Sequence, residues 1–322
     1  MNPPSNDWQT LFVAGIERTA RHWLSFFRDR PLMDAETWAA SSGHALRALT
    51  WSVSSGRYNE LAADLALALT SSVMRLGYWH EWEITLRQVI AQVAETIDTE
   101  RLWDLNAVLS YLLLRLHRLD ESIALSKQNY QIAAARQDVS RQQSTLMHLA
   151  ETYLNAEAFD QALPCAENAT ALAIALGDPI GEADGLINAA RALMDLGDIA
   201  EAERRLAKAL ALTTAIGAPV YQAKTHIFLG HATRLRGDWA ATLAQFRTAL
   251  PMVADSNDAV GVGTILSNIG WALSHLGEWA EGAAALEEAI RILAEHGNGP
   301  AEAAARQRLA ELRRRAAGGA SG

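Results

Sequence analysis

The stretch Leu266-Ser267-Asn268-Ile269-Gly270-Trp271-Ala272-Leu273-Ser274-His275-Leu276-Gly277-Glu278-Trp279-Ala280-Glu281-Gly282 decides the fold. Leu266, Ile269, Gly270 and Leu273 recur at offsets of three and four, the spacing that lines up side chains on one face of a helix. The run breaks at Gly277. Two residues later Trp279 opens a second stripe that continues through Leu286, Ala289 and Leu293. A helix, a tight glycine turn and a returning helix are written into residues 266–293.

The pattern is not local. The turn landmark falls at Gly77, His117, Glu157, Gly197, Gly237 and Gly277, an unvarying step of 40 residues, and two positions on stand Trp79, Leu119, Phe159, Ile199, Trp239 and Trp279. A fixed period of this length marks a repeat array, in which each unit touches only its neighbours and all share a continuous core. Small residues hold matching places: Ala150, Ala190, Gly230 and Gly270 on first helices, Ala162 and Ala202 on second ones, so that paired helices can approach closely. Gly177 and Gly217 suit the residue just past a helix, and Pro179 and Pro219 then fall in a first turn, where proline's missing donor costs little. Pro164 lies early in its helix. Pro251 lies deeper and predicts a kink or an early end.

The spacing Leu266-x2-Ile269-Gly270-x2-Leu273, then Gly277-x-Trp279 and Gly282-x3-Leu286, resembles the tetratricopeptide signature W-x2-L-G-x2-Y followed by A-x3-F. Ala202-x3-Leu206 and Thr242-x3-Phe246 repeat its second half. The ordinary unit has about 34 residues, so this longer one implies helices extended by about three residues, roughly 4.5 Å each. The long form resembles the repeats of Pins-type spindle adaptors, of Rap-type peptide-pheromone receptors and of the C-terminal arms of bacterial signal-transduction ATPases of the MalT class. The resemblance covers residues 58 to about 316. It implies an all-α fold, a right-handed superhelical solenoid of about seven antiparallel helix pairs plus a C-terminal capping helix.

The expected organisation is an N-terminal helical capping unit over 1–57, six repeats over 58–298, a capping helix over 299–316 and a flexible tail over 317–322. Residues 7–28 carry Trp8, Leu11, Phe12, Ile16, Ala20, Trp23, Leu24 and Phe27 on one side, and residues 35–54 carry Trp38, Leu46, Leu49 and Val53. The tryptophans here read as the core of the cap. Stretches between His44 and Trp79 resemble the segment joining the ATPase part of those bacterial regulators to their repeat arm. No G-x-x-x-x-G-K-[ST] loop is present, so nucleotide hydrolysis is not carried over. Glu302, Arg306, Arg308, Glu311 and Arg313 read as wetting an exposed face of the last helix, and Arg313-Arg314-Arg315 as its solvated end.

Composition narrows the function classes. Half of the 322 residues are apolar and the net charge is −9, which suits a packed chain and argues against broad binding to nucleic acid. Cys165 is the only cysteine, so an intramolecular disulfide and a cysteine zinc site are excluded, and a reducing, cytoplasmic setting is expected. No secretory signal or membrane-spanning stretch is read. His80-Glu81-Trp82-Glu83 lacks the second histidine of a zinc motif, and His226 and His231, five apart, fall off one helix face. No catalytic motif, metal site or cofactor is expected, and the chain is read as a non-enzyme.

The resemblance implies that the first helix of each pair lines a concave groove with the side chains ten, six and three residues before the landmark. Carried over, the candidate partner-binding residues are Met147, Ile187 and Ile227; Glu151, Arg191, His231 and Trp271; and Leu154, Met194 and Arg234, with His275 flanking them. The early repeats offer an apolar strip that includes Leu67, Met74 and Leu114, and the later ones add cations beside Trp271. Such a wall suits an amphipathic helix or extended peptide with apolar anchors and an acidic portion. The opposing reading is that the N-terminal helices fill the groove or that these positions are plain core. The expected function is a scaffold or sensory arm that binds a peptide or helix of a partner protein, such as a signalling ATPase or regulator. The alternative is a sensor of a small peptide or metabolite whose superhelix changes pitch on binding. Self-association is left open through either end unit.

Overall fold

The computed structural model describes residues 7–31, 33–256 and 258–319, which form fifteen α-helices with no strand among them. Contacts gather the chain into two compact units, residues 1–152 and 153–322. The first holds α1 (Asp7–Arg28), α2 (Ala35–Ser55), α3 (Asn59–Leu76), α4 (Trp79–Val93), α5 (Thr99–Arg115), α6 (Leu119–Ala135) and most of α7 (Val139–Asn155). The second holds α8 (Phe159–Leu176), α9 (Pro179–Asp195), α10 (Ile199–Ala215), α11 (Pro219–Leu235), α12 (Trp239–Ala254), α13 (Ala259–Leu276), α14 (Trp279–Glu295) and α15 (Gly299–Gly319). In chain order these are the expected seven helix pairs and one further helix. α1 and α2 fall within 1–57 and α3 to α14 within 58–298, whereas the division by contacts falls inside α7.

The landmark residues act as helix punctuation. Trp79, Leu119, Phe159, Ile199, Trp239 and Trp279 are each the first residue of a second helix. Gly197, Gly237 and Gly277 take φ of 91°, 78° and 83°, a left-handed conformation that glycine adopts without a β-carbon clash. The chain then doubles back: the N–H of Asp198, Asp238 and Glu278 donates to the carbonyls of Leu193, Thr233 and Leu273 at 2.9–3.0 Å. These bonds satisfy carbonyls that the helix end would otherwise leave bare.

Packing within a pair depends on matching a small residue with a large one. A β-carbon on Gly230 would sit 2.9 Å from the Phe246 ring, and one on Gly270 would sit 2.6 Å from Leu286 Cγ and 2.8 Å from the Gly282 carbonyl oxygen. The same two columns, one repeat apart, trade glycine for room. In the first unit the core runs through Phe27, Leu49, Leu65, Leu69, Trp82, Leu86, Leu105 and Leu112. In the second, Ile187 and Leu206 belong to one cluster and Phe246, Ile265 and Leu273 to another.

Several expectations need correction. The α1 stripe is buried only along Ile16, Ala20, Leu24 and Phe27, while Trp8, Leu11 and Phe12 are 65%, 65% and 56% exposed. Of the cap tryptophans, Trp38 is buried and Trp23 half-buried, but Trp8 and Trp51 are exposed and border an open cleft of about 740 Å³ with Phe12 and Tyr58. Pro251 does not end α12, which continues to Ala254, and the Pro251 carbonyl accepts from Asp255 N–H at 3.0 Å. α15 runs to Gly319, so residues 317–319, expected as tail, are helical; residues 320–322 lie outside those described.

Candidate functional site

Burial down each 40-residue column shows which positions of the first helices face outward. Six residues before the landmark, Ser71, Tyr111 and Glu151 of the first unit are exposed, and Arg191, His231 and Trp271 of the second are half-buried. The columns three and ten before it are largely closed. Ile187 is fully buried and Leu154 and Met194 are 6% and 9% exposed, which corrects their placement as groove-lining residues. The cause is direct packing of one first helix on the next: Ile187 and Met194 of α9 share a cluster with Ala183, Leu193, Leu206 and, from α11, Ala232. Met147 and Ile227 are half-buried, Ile227 against the Phe246 cluster. Leu114 is buried, and Leu67 and Met74 pack on the core of the first unit, so the expected apolar strip is mostly core. The column two before the landmark is the more open one, with Arg75, Arg115, Asn155, Asp195 and Leu235 exposed and His275 half-buried.

In the second unit the half-open positions carry cations and aromatic rings in two sets. The Arg191 guanidinium lies 5.2 Å from the Phe228 ring centre, Phe228 is 5.9 Å from His231, and His231 meets Phe246 edge to face at 5.4 Å. Burial lowers the His231 pKa to about 4, helped by the positive charges of Arg234, Arg308 and Arg191, so the ring is neutral at pH 7. Arg308 arrives from α15 and donates through Nη1 to Ser267 Oγ and Asn268 Oδ1, both at 2.9 Å. One turn along α13, Trp271 stands edge-on to His275 at 4.8 Å, and His275 stacks on Trp239 at 3.6 Å. Arg315 caps the group, 5.2 Å over the Trp271 ring. Burial, then Arg315, lowers the pKa of His275 as well.

The structure thus groups Arg191 with His231, and separately Trp271 with His275, and adds two residues expected from the sequence to lie in solvent. Arg308 and Arg315 are half-buried parts of this wall. A signal for them existed: Arg308 bonds Asn268 and Arg315 meets His275, each one 40-residue step back. Reading α15 as a plain cap, rather than as the first helix of one more unit, hid it.

Chemically the wall offers guanidinium donors, ring faces and a neutral imidazole. Among the described residues no group of three or more His, Cys, Asp or Glu side chains is placed to hold a metal ion. No described helix is long and apolar enough to cross a membrane.

Residues 262–296 match a family model described as a tetratricopeptide repeat. No curated protein matches the sequence. Among solved structures, the chain is similar to a Rap protein complexed with competence and sporulation factor, with TM-score 0.66 and 12% identity over 93% of this chain and 85% of that one. It is also similar to a signal-transduction ATPase with numerous domains that carries a tetratricopeptide repeat sensor, from Pyrococcus horikoshii. There the TM-score is 0.63 and the identity 14%, over 91% of this chain and 42% of that one. NprR in complex with its cognate peptide NprX gives TM-score 0.59 and 12% identity over 91% and 82%. At these identities the likeness is one of fold. The chain is an all-α array of tetratricopeptide type.

Proposed function

We propose that this chain is a protein-interaction module that takes a peptide segment of a partner on the open face of α9, α11 and α13, and performs no chemistry of its own. One observation carries the reading: Arg191, His231, Arg234, Trp271 and His275 of the first helices are half-buried and carry cations beside aromatic rings, in the groups Arg191–Phe228–His231 and Trp271–His275. Half-covered tryptophan and arginine are the side chains on which peptide affinity usually concentrates. The similar Rap and NprR structures are complexes with competence and sporulation factor and with a cognate peptide, and the second supports a peptide as the ligand class here. The likeness to the sensor-bearing ATPase makes a signalling ATPase or regulator the first class of partner to examine. The single cysteine supports a reducing compartment.

Selection of a random peptide library on the full chain tests this. Enriched peptides should lose about tenfold or more in affinity with Trp271→Ala and with Arg191→Ala, in the range of about 2 kcal/mol expected of hot spots. Peptides that bind the double variant as they bind the parent would place the site elsewhere.

A further inference from the structure

Trp8, Phe12, Ile16, Ala20 and Leu24 follow one another along α1 at steps of four, so they lie on one stripe of the helix. Ile16, Ala20 and Leu24 are buried in the first unit, whereas Trp8 and Phe12 are open. These two border the cleft of about 740 Å³ together with Ile16, Trp51 and Tyr58. A lone exposed apolar side chain is ordinary, but rings gathered around one concavity mark a place where something binds. Both the size of the cleft and its mostly apolar lining are those of a small-molecule site.

Arg57 and Tyr58 also line a second cleft, of about 450 Å³, whose character is the opposite. Its walls carry Arg21, Arg28, Arg57 and Arg101 against Glu60 and Asp64, four positive charges to two negative in a chain whose net charge is −9. The left-handed turn at Gly56, with φ of 64°, ends α2 just before the two residues that the clefts share. Three of the arginines are engaged: Arg21 by Glu17 at 2.8 Å, Arg28 by Asp64 at 3.4 Å, and Arg101 by Asp64 at 2.8 Å and by Asp98. Glu17, the carboxylate that acts on Tyr58, is thus held by Arg21. Among the described residues Arg57 forms no ion pair. A guanidinium left free beside an apolar cleft is a ready donor to an anionic oxygen.

We propose that the two clefts together take one small amphipathic anion, its apolar body against Trp8, Phe12 and Trp51 and its acidic group on Arg57. Burial of the body supplies the affinity, and the arginine-rich side decides which end of the molecule goes where. The net charge of −9 opposes adsorption to an anionic membrane, which favours a dissolved molecule as the occupant. The site is built by α1, α2 and the turn after them, none of which belongs to the peptide face, so it stands independently of that reading.

The test is isothermal titration calorimetry on the full chain with two anions and their neutral counterparts: octanoate with octanamide, and naphthalene-2-sulfonate with naphthalene-2-sulfonamide. At least one anion should bind tenfold or more tighter than its amide. Arg57→Gln should remove that preference while leaving the amide's binding unchanged. Trp51→Ala, at an exposed position whose loss the fold tolerates, should weaken both members of the pair tenfold or more, with circular dichroism confirming that the variant is folded. Trp271→Ala should change neither. The pair that binds identifies an aliphatic or an aromatic body. Equal binding of anion and amide, binding that survives both Arg57→Gln and Trp51→Ala, or no binding of any of the four would each overturn the proposal. Concentration-dependent dimerisation that Trp8→Ser abolishes, without binding of the four compounds, would overturn it in favour of a second copy of the chain. Cosedimentation with phosphatidylcholine–phosphatidylglycerol vesicles, again without that binding, would overturn it in favour of a lipid surface.

Discussion

His117, Gln137 and Glu157 hold φ of 57°, 54° and 55° in turns where the neighbouring repeats place glycine. A β-carbon in that region costs about 1–2 kcal/mol, offset in part by the stiffer unfolded chain of a non-glycine residue. Replacing each by glycine should therefore raise the unfolding free energy by about 0.5–1 kcal/mol, measurable by urea denaturation. Lower stability would mean that the side chains contribute more than their strain costs. The opposite sign is expected at Gly270, where a methyl group meets the Gly282 carbonyl and Leu286; Gly270→Ala should cost about 1–3 kcal/mol. Histidines set the acid limit. His148, half-buried beside Ser122 with its Nε2 3.2 Å from Oγ, and His231, near the positive charges of Arg191, Arg234 and Arg308, both have their pKa lowered to about 4, chiefly by desolvation. Unfolded, each would take up a proton near pH 6.5, so the stability present above that value is lost as pH falls toward 4. The loss is on the order of 3 kcal/mol per histidine. Denaturation curves between pH 7.5 and 4.5 should show this decline, and His148→Gln with His231→Gln should flatten it; an unchanged slope would contradict the burial argument.

At the scale of helices, the sequence was read well where the signal lies in period and punctuation. A step of 40 residues with Gly277, Trp279 and their equivalents located the start of six second helices to the residue. Rotation about the helix axis was less legible. Ile187 and Met194 looked like groove residues because apolar character alone does not say whether a neighbouring first helix will cover them. The open face of α1 escaped for the same reason, since a continuous apolar stripe does not reveal that Trp8 and Phe12 border an open cleft rather than a packed neighbour. Charges between repeats were equally hidden, because residues about 37 apart do not announce themselves as neighbours. Arg141 of α7 reaches Asp104 of α5 in this way, just as Arg101 of α5 reaches Asp64 of α3. Burial raises the pKa of Asp104 and Arg141 opposes the rise. Arg141→Gln should accordingly destabilise the first unit by about 1–2 kcal/mol, as judged by thermal unfolding, and should shift the Asp104 carboxyl resonance toward a higher titration midpoint.

For the whole chain, an array of short-range helix pairs turns the same turn chemistry, repeated, into a long series of outward positions that can vary without disturbing the core. In the second unit those positions gather arginine, histidine and tryptophan although the molecule is acidic overall. Hydrogen exchange by mass spectrometry, on the full chain with and without a library-selected peptide, reads that face directly. Slowed exchange is predicted in the segments of α9, α11 and α13 that contain Arg191, His231 and Trp271, and in α15 around Arg308. Protection confined to α10, α12 and α14, or to the Trp8–Trp51 cleft, would contradict the assignment.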